Sequence, residues 1–212
     1  REVLDKLPYV STAPAAALTL LAQDANMVVG IQIAQHPNTP LDVLSSLATN
    51  ASGDVRGEVA RNLRAPSGTL EALAQDPHKW VREQVAANPN TPPEALAHLA
   101  QDPEIRVRWR VIANPSTPPA TLANLAQEGS GWDVLTGVAG NGSTPAATMV
   151  ELSTHPDAQV RRALAYNPHV GLALSAALAS DNDAWVRRAV AYAPATPADV
   201  LRRLAKDADL EV

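Results

Sequence analysis

The fold class this sequence predicts is an all-α solenoid, and three observations predict it. A leucine recurs at Leu21, Leu47, Leu73, Leu99, Leu125, Leu152, Leu178 and Leu204, followed by Ala everywhere except at Ser153. The step is 26 residues, with one step of 27 between Leu125 and Leu152. A fixed period of roughly 20–50 residues marks a stacked array of small units. Second, each period contains two short stretches with helical spacing of apolar residues. Third, no stretch alternates apolar and polar with β-branched enrichment, so no sheet is expected. About eight repeats then form one array over residues 1–212. The chain opens at Arg1 without Met and stops at Val212, partway through a ninth unit, which predicts a fragment of a longer protein.

The elements follow in order within one unit, from Asp76 to Asp102. Asp76 is expected as N-cap of the first helix, with Pro77 at its first position. Val81, Val85 and Ala86 are spaced i, i+4, i+5 and make one apolar face. Asn88 is placed to take the left-handed C′ conformation, and Pro89 then blocks further helix. Thr91 and Pro92 repeat the cap arrangement. Leu96, Leu99 and Ala100, spaced i, i+3, i+4, give the second face.

The columns hold along the chain. Proline recurs at Pro14, Pro40, Pro66, Pro92, Pro118, Pro145 and Pro197, with Gly171 breaking the series. The first-helix valine recurs at Val29, Val55, Val81, Val107, Val134, Val160, Val186 and Val212, and Asn at Asn62, Asn88, Asn114, Asn141 and Asn167. A period this short leaves no room for the two long helices of roughly 33–47-residue repeats. Aromatics are 3% of the chain and Phe is absent, so the core must be Leu, Val, Ile and Ala. The stretch from Glu128 to Gly142 holds five of the ten glycines and the inserted residue, and its helix is expected to be the least well formed.

The motif Val-Arg-x-x-Val-Ala-x-Asn-Pro-x-Thr-Pro-x-x-x-Leu-x-x-Leu-Ala-x-Asp, carried by Val81 to Asp102, resembles the leucine-rich repeat variant family. Val107 to Leu125 follows it with Ile112 at one Ala position. The resemblance implies a right-handed superhelix of alternating α- and 3₁₀-helices without a sheet. Family members can carry a Cys-rich segment before the repeats that holds an iron–sulfur cluster. This chain has no Cys, so no cofactor is implied within it.

Two sets of residues are candidate sites. Arg56, Arg82, Arg108, Arg161 and Arg187 follow the column valine and should form a stripe. The stripe is either a ladder for a carboxylate- or phosphate-rich partner or a set of ion pairs with Asp24, Asp76, Asp102, Asp181 and Asp207. The matched period of the two columns favours the ion pairs. Near the C-terminal end, Tyr166 and Tyr192 share a column, Trp185 lies close by, and Arg161, Arg162, Arg187 and Arg188 interleave. These seven residues either grip a peptide or stack bases, or they shield helix seams, with Trp185 filling a groove as Trp80 does in the same column. The four arginines of this group are the expected exposed exception to the ion-pair column.

Other chemistry finds little support. His36, His78, His98, His155 and His169 fall in unrelated columns, no pair has metal spacing, and no nucleophile stands beside a base. Neither a metal site nor a catalytic residue is expected. The net charge of −5 disfavours nucleic acid, and residues 151–212 hold seven Lys/Arg against eight Asp/Glu. No apolar run approaches the roughly 20 residues that span a bilayer. Absence of Cys fits a reducing, cytoplasmic compartment. The leading expectation is a non-catalytic scaffold holding a protein or peptide along its surface. A nucleic-acid module on the arginine stripe is one alternative. A redox accessory protein, whose cluster segment lies outside this sequence, is another.

Overall fold

The computed structural model describes residues 14–24, 26–127, 131–209 and 212. It divides into two compact units, Arg1–Ser116 and Thr117–Val212. Among the described residues all regular structure is α-helix. The first unit holds α1 (Ala15–Leu21), α2 (Met27–Gln35), α3 (Leu41–Leu47), α4 (Gly53–Arg61), α5 (Ser67–Leu73), α6 (Lys79–Ala87), α7 (Pro93–Leu99) and α8 (Ile105–Ala113). The second holds α9 (Pro119–Leu125), α10 (Trp132–Gly140), α11 (Ala146–Ser153), α12 (Ala158–Ala165), α13 (Leu172–Leu178), α14 (Ala184–Tyr192) and α15 (Ala198–Leu204).

Within each unit the even-numbered helices stack on one another: α2, α4, α6 and α8 in the first, and α10, α12 and α14 in the second. The odd-numbered helices connect them. Column residues of both sets meet in the core. Val55, Val59, Val81, Val85, Leu70, Leu96 and Leu99 are completely buried in the first unit. Leu122, Val138, Val160, Leu164 and Val186 are completely buried in the second. Helices this short are marginal alone in water, so this shared burial is what stabilises them.

The structure differs from the expected pattern at the helix ends. Both helices of the repeat are α-helices. Even the short ones close i→i−4 bonds, such as Leu96 N–H to Pro92 O at 3.0 Å and Ala100 N–H to Leu96 O at 2.9 Å. The i→i−3 geometry of a 3₁₀-helix appears in the turns that end them, as in Asp102 N–H to Leu99 O. Pro92, not Thr91, is the N-cap of α7, in extended conformation. Thr91 is buried, and its hydroxyl donates back to Val85 O in the preceding helix. Thr39, Thr144 and Thr196 do the same to Ile33, Val138 and Val190. Asp76 lies two residues before the N-cap His78 and accepts the His78 N–H at 2.8 Å, an Asx turn that leads into α6.

Asn88 is not left-handed; its φ, ψ of −74° and 122° are extended. Its amide has a different task. Nδ2 donates to Ala60 O at 2.7 Å and Asn62 O at 3.1 Å in the preceding repeat, while Oδ1 accepts from Asn90 N–H. Asn62 and Asn114 make the same bonds one repeat earlier and later, and Asn167 makes them in the second unit to Ala139 O and Asn141 O. A buried asparagine ladder therefore satisfies helix-end carbonyls that would otherwise lose their partners on burial.

The inserted residue changes less than its glycines suggest. Residues 126–131 join α9 to α10, where 100–104 join α7 to α8, so the extra residue sits in the loop. Helix α10 is as long as α8. Glu128, Gly129 and Ser130 lie outside the described residues.

Candidate functional site

The arginine column is built by the repeat. Each Arg stands on the second turn of an even-numbered helix, and the Asx-turn Asp of the next repeat lies 20 residues on. Arg82 Nε and Nη2 donate to the two oxygens of Asp102 at 2.6 and 3.1 Å, a bidentate fork. Its Nη1 donates to Asp76 O at 2.8 Å. Arg56, Arg161 and Arg187 repeat this with Asp76, Asp181 and Asp207. The paired side chains are largely covered, at 14% and 5% exposure for Arg82 and Asp102. Arg108 makes the same carbonyl contacts, to Asp102 O and Pro103 O, and the position 20 residues on, Glu128, lies outside the described residues.

In two repeats the arginine and the aspartate are missing together. Gly30 is matched by Asn50, and Leu135 by His155. Asn50 and His155 keep the backbone task alone: Asn50 Oδ1 accepts from Ser52 N–H, and His155 Nδ1 from Asp157 N–H. Where the cation is missing, the repeat avoids leaving a covered anion without its partner, which is costly.

The pairing is visible in the carboxyls. Burial pushes Asp76, Asp102 and Asp181 up, but the guanidinium and backbone N–H bonds outweigh it and hold each below the usual carboxylate range. At Asp207 the Arg187 hydrogen bond leads, and the carboxyl is lowered to about 2. The same bonds raise Arg56, Arg82, Arg161 and Arg187. Arg161 and Arg187 thus leave the expected exposed group and join the column, because their forks are engaged by Asp181 and Asp207.

The other five residues of that group do come together, on the outer side of α12 and α14. Trp185, Tyr166 and Tyr192 are exposed at 55%, 46% and 66%. The Arg162 and Arg188 guanidinium carbons lie 5.9 and 5.2 Å from the Trp185 ring centre, and Arg188 is 5.7 Å from that of Tyr192. With Ala189 they line an open hollow of about 240 Å³. Trp185 does not repeat the packing of Trp80. A Cβ added to Gly57 would lie 1.6 Å from the Trp80 ring, so that indole lies directly on the backbone of the preceding helix. In the later repeat the matching position is Arg162, and Trp185 is exposed where Trp80 is half-buried. The corresponding face of the first unit is different: Arg61 pairs with Glu58, Lys79 with Glu104 and Arg110 with Glu83.

The histidines serve the scaffold or the surface. His36 Nδ1 accepts from Asn38 N–H, and His169 Nδ1 lies 2.7 Å from Gly142 O. Among the described residues no group of three or more His, Asp or Glu gathers in a way that could hold a metal ion. No helix among them is long and apolar enough to cross a membrane.

Comparison with known proteins agrees with this architecture. The family model described as leucine rich repeat variant matches residues 53–78, 80–104 and 184–209. No curated protein matches the chain. A solved structure described as a leucine-rich repeat variant with a novel repetitive protein structural motif is similar at 26% identity and a TM-score of 0.62. The match covers 92% of this chain and 76% of that one. Three stretches of this chain thus match leucine-rich repeat variant repeats by sequence, and its fold is similar to that of a solved leucine-rich repeat variant.

Proposed function

We propose that this chain is a non-catalytic scaffold that holds a protein or peptide partner on the α12/α14 face. The observation that supports the reading is the exposed cluster of Trp185, Tyr166 and Tyr192 with Arg162 and Arg188. Tyr, Trp and Arg are the residues enriched in interface hot spots. Here they gather on and at the end of neighbouring helices, whereas the other exposed aromatics among the described residues, Trp109 and Trp132, lie on α8 and α10. The nucleic-acid alternative loses its main feature, since four of the five column arginines are forked onto aspartates.

The test is capture of partners from cell extract by the 212-residue chain and by a Trp185→Ser, Tyr192→Ser variant. The reading expects the variant to melt at the same temperature and to lose the captured protein. Capture that is unaffected would overturn it. Capture of nucleic acid, with a steep loss of affinity on adding salt, would support the alternative instead.

A further inference from the structure

We infer that Asn141 and Gly142 form a self-modifying site, where the Asn141 side chain loses ammonia and passes through a cyclic imide to aspartate and isoaspartate. This chemistry is independent of the α12/α14 face and acts on a rung of the asparagine ladder.

The reaction depends on the residue that follows the asparagine. In the ring-closing step the Gly142 backbone nitrogen attacks Asn141 Cγ. A Gly142 N–Asn141 Cγ bond forms and the Cγ–Nδ2 bond breaks. Nδ2 leaves as ammonia, taking the proton that Gly142 N gives up. Water then opens the imide at either carbonyl. One opening restores the ordinary backbone with Asp at 141. The other runs the main chain through the former side chain and leaves the former Asn141 C=O as a free carboxylate.

Along the ladder, proline blocks this step. Asn88, Asn114 and Asn167 are followed by Pro89, Pro115 and Pro168. A proline nitrogen carries no proton to give up. Asn62 is followed by Leu63, whose side chain crowds the attacking nitrogen. Asn141 is the only asparagine in the chain that is followed by glycine. The backbone does not set this rung apart: φ, ψ are −75° and 128° at Asn141, against −74° and 122° at Asn88 and −75° and 124° at Asn114. The missing proline does.

The folded rung sets the rate. Asn141 is half-buried, and its Oδ1 accepts the Ser143 N–H at 2.7 Å. Its main-chain oxygen accepts from Thr144 N–H at 3.1 Å and from Asn167 Nδ2 at 2.7 Å. At an extended ψ the Gly142 nitrogen points away from Cγ, so the ring closes only after ψ rotates and the rung opens. Opening is easiest here, because Asn141 stands between Gly140 and Gly142, and glycine loses the most conformational freedom on ordering. The matching asparagines stand between Ala87 and Pro89 and between Ala113 and Pro115. The isoaspartyl product also moves the oxygen that Asn167 holds, so one modified rung loosens the next.

The experiment ages the 212-residue chain in mildly alkaline buffer, folded and in urea, and follows each asparagine by peptide mapping and mass spectrometry. An isoaspartate-specific methyltransferase gives a second readout. In the folded chain Asn141 is expected to convert at least about tenfold faster than Asn62, while Asn88, Asn114 and Asn167 stay intact. Urea should speed Asn141 by at least about tenfold, since opening no longer limits it. Gly142→Pro should abolish conversion both folded and in urea, and it gives the rung the Asn-Pro pair that Asn88 and Asn114 already carry. In urea, Gly142→Ala keeps the N–H but adds a methyl group, and should slow conversion by about tenfold.

Four results would overturn the inference. They are an Asn141 that stays intact in the folded chain while it converts in urea, an Asn62 that converts as fast as Asn141, a rate that urea leaves unchanged, and conversion of Gly142→Pro at the parent's rate in urea.

Discussion

The asparagine ladder makes the sharpest demand on stability. Asn88 is 3% exposed and its side chain makes three hydrogen bonds: to Ala60 O, to Asn62 O and from Asn90 N–H. Asn88→Ala removes all three and leaves two carbonyls facing a small void. At about 1 kcal/mol net for each bond, the loss is about 3 kcal/mol. For a chain of this size that lowers the melting temperature by about 6–12 °C. Asn88→Asp keeps the shape and the acceptor but turns the donor into an anion aimed at two carbonyl oxygens, so at pH 7 it should cost more than Ala. Urea denaturation followed by far-UV circular dichroism measures both. Because repeats contact mainly their neighbours, hydrogen exchange should quicken most in α4 and α6. An Ala variant within 0.5 kcal/mol of the parent, or an Asp variant as stable as the parent, would refute the ladder as a source of stability.

Three more perturbations follow from the same structure. Leu99 is completely buried, so Leu99→Ala should cost about 2–5 kcal/mol in urea denaturation, and a change below 0.5 kcal/mol would contradict its burial. Gly57→Ala should destabilise the first unit, because its Cβ would fall 1.6 Å from the Trp80 ring; the added Trp80→Ala should relieve most of that strain, and equal melting temperatures for parent and Gly57→Ala would contradict the packing. The aspartates of the column have folded pKa values below their unfolded ones, so their contribution is complete above about pH 4 and is lost as pH falls through the folded values, toward about 2 for Asp207. The urea midpoint should therefore fall below pH 4, and less steeply in Arg82→Ala than in the parent; identical pH profiles would mean that Arg82 does not hold Asp102.

Much of this protein is legible in its sequence, because a repeat writes each local preference several times. The leucine period, the paired apolar faces and the proline punctuation determine two short helices per unit and a core of Val, Leu and Ala. The arginine and aspartate columns share that period, which already points to ion pairs, and Gly30 with Asn50 and Leu135 with His155 lose both members together. What the sequence could not decide is which repeat a polar side chain serves. Asn88, Thr91 and Asp76 all look like local caps, since local hydrogen bonds are what propensity records. In the structure Asn88 reaches back to the preceding repeat, Thr91 to the preceding helix, and Asp76 adds the preceding repeat's Arg56 to its own turn. The candidate site depends on the same kind of distance. Trp80 and Trp185 share a column, yet one lies on Gly57 and the other has Arg162 at the matching position and is exposed. Only stacking places one repeat's side chain against the next, and so only the tertiary structure separates the covered arginines of the column from the two that flank an exposed indole.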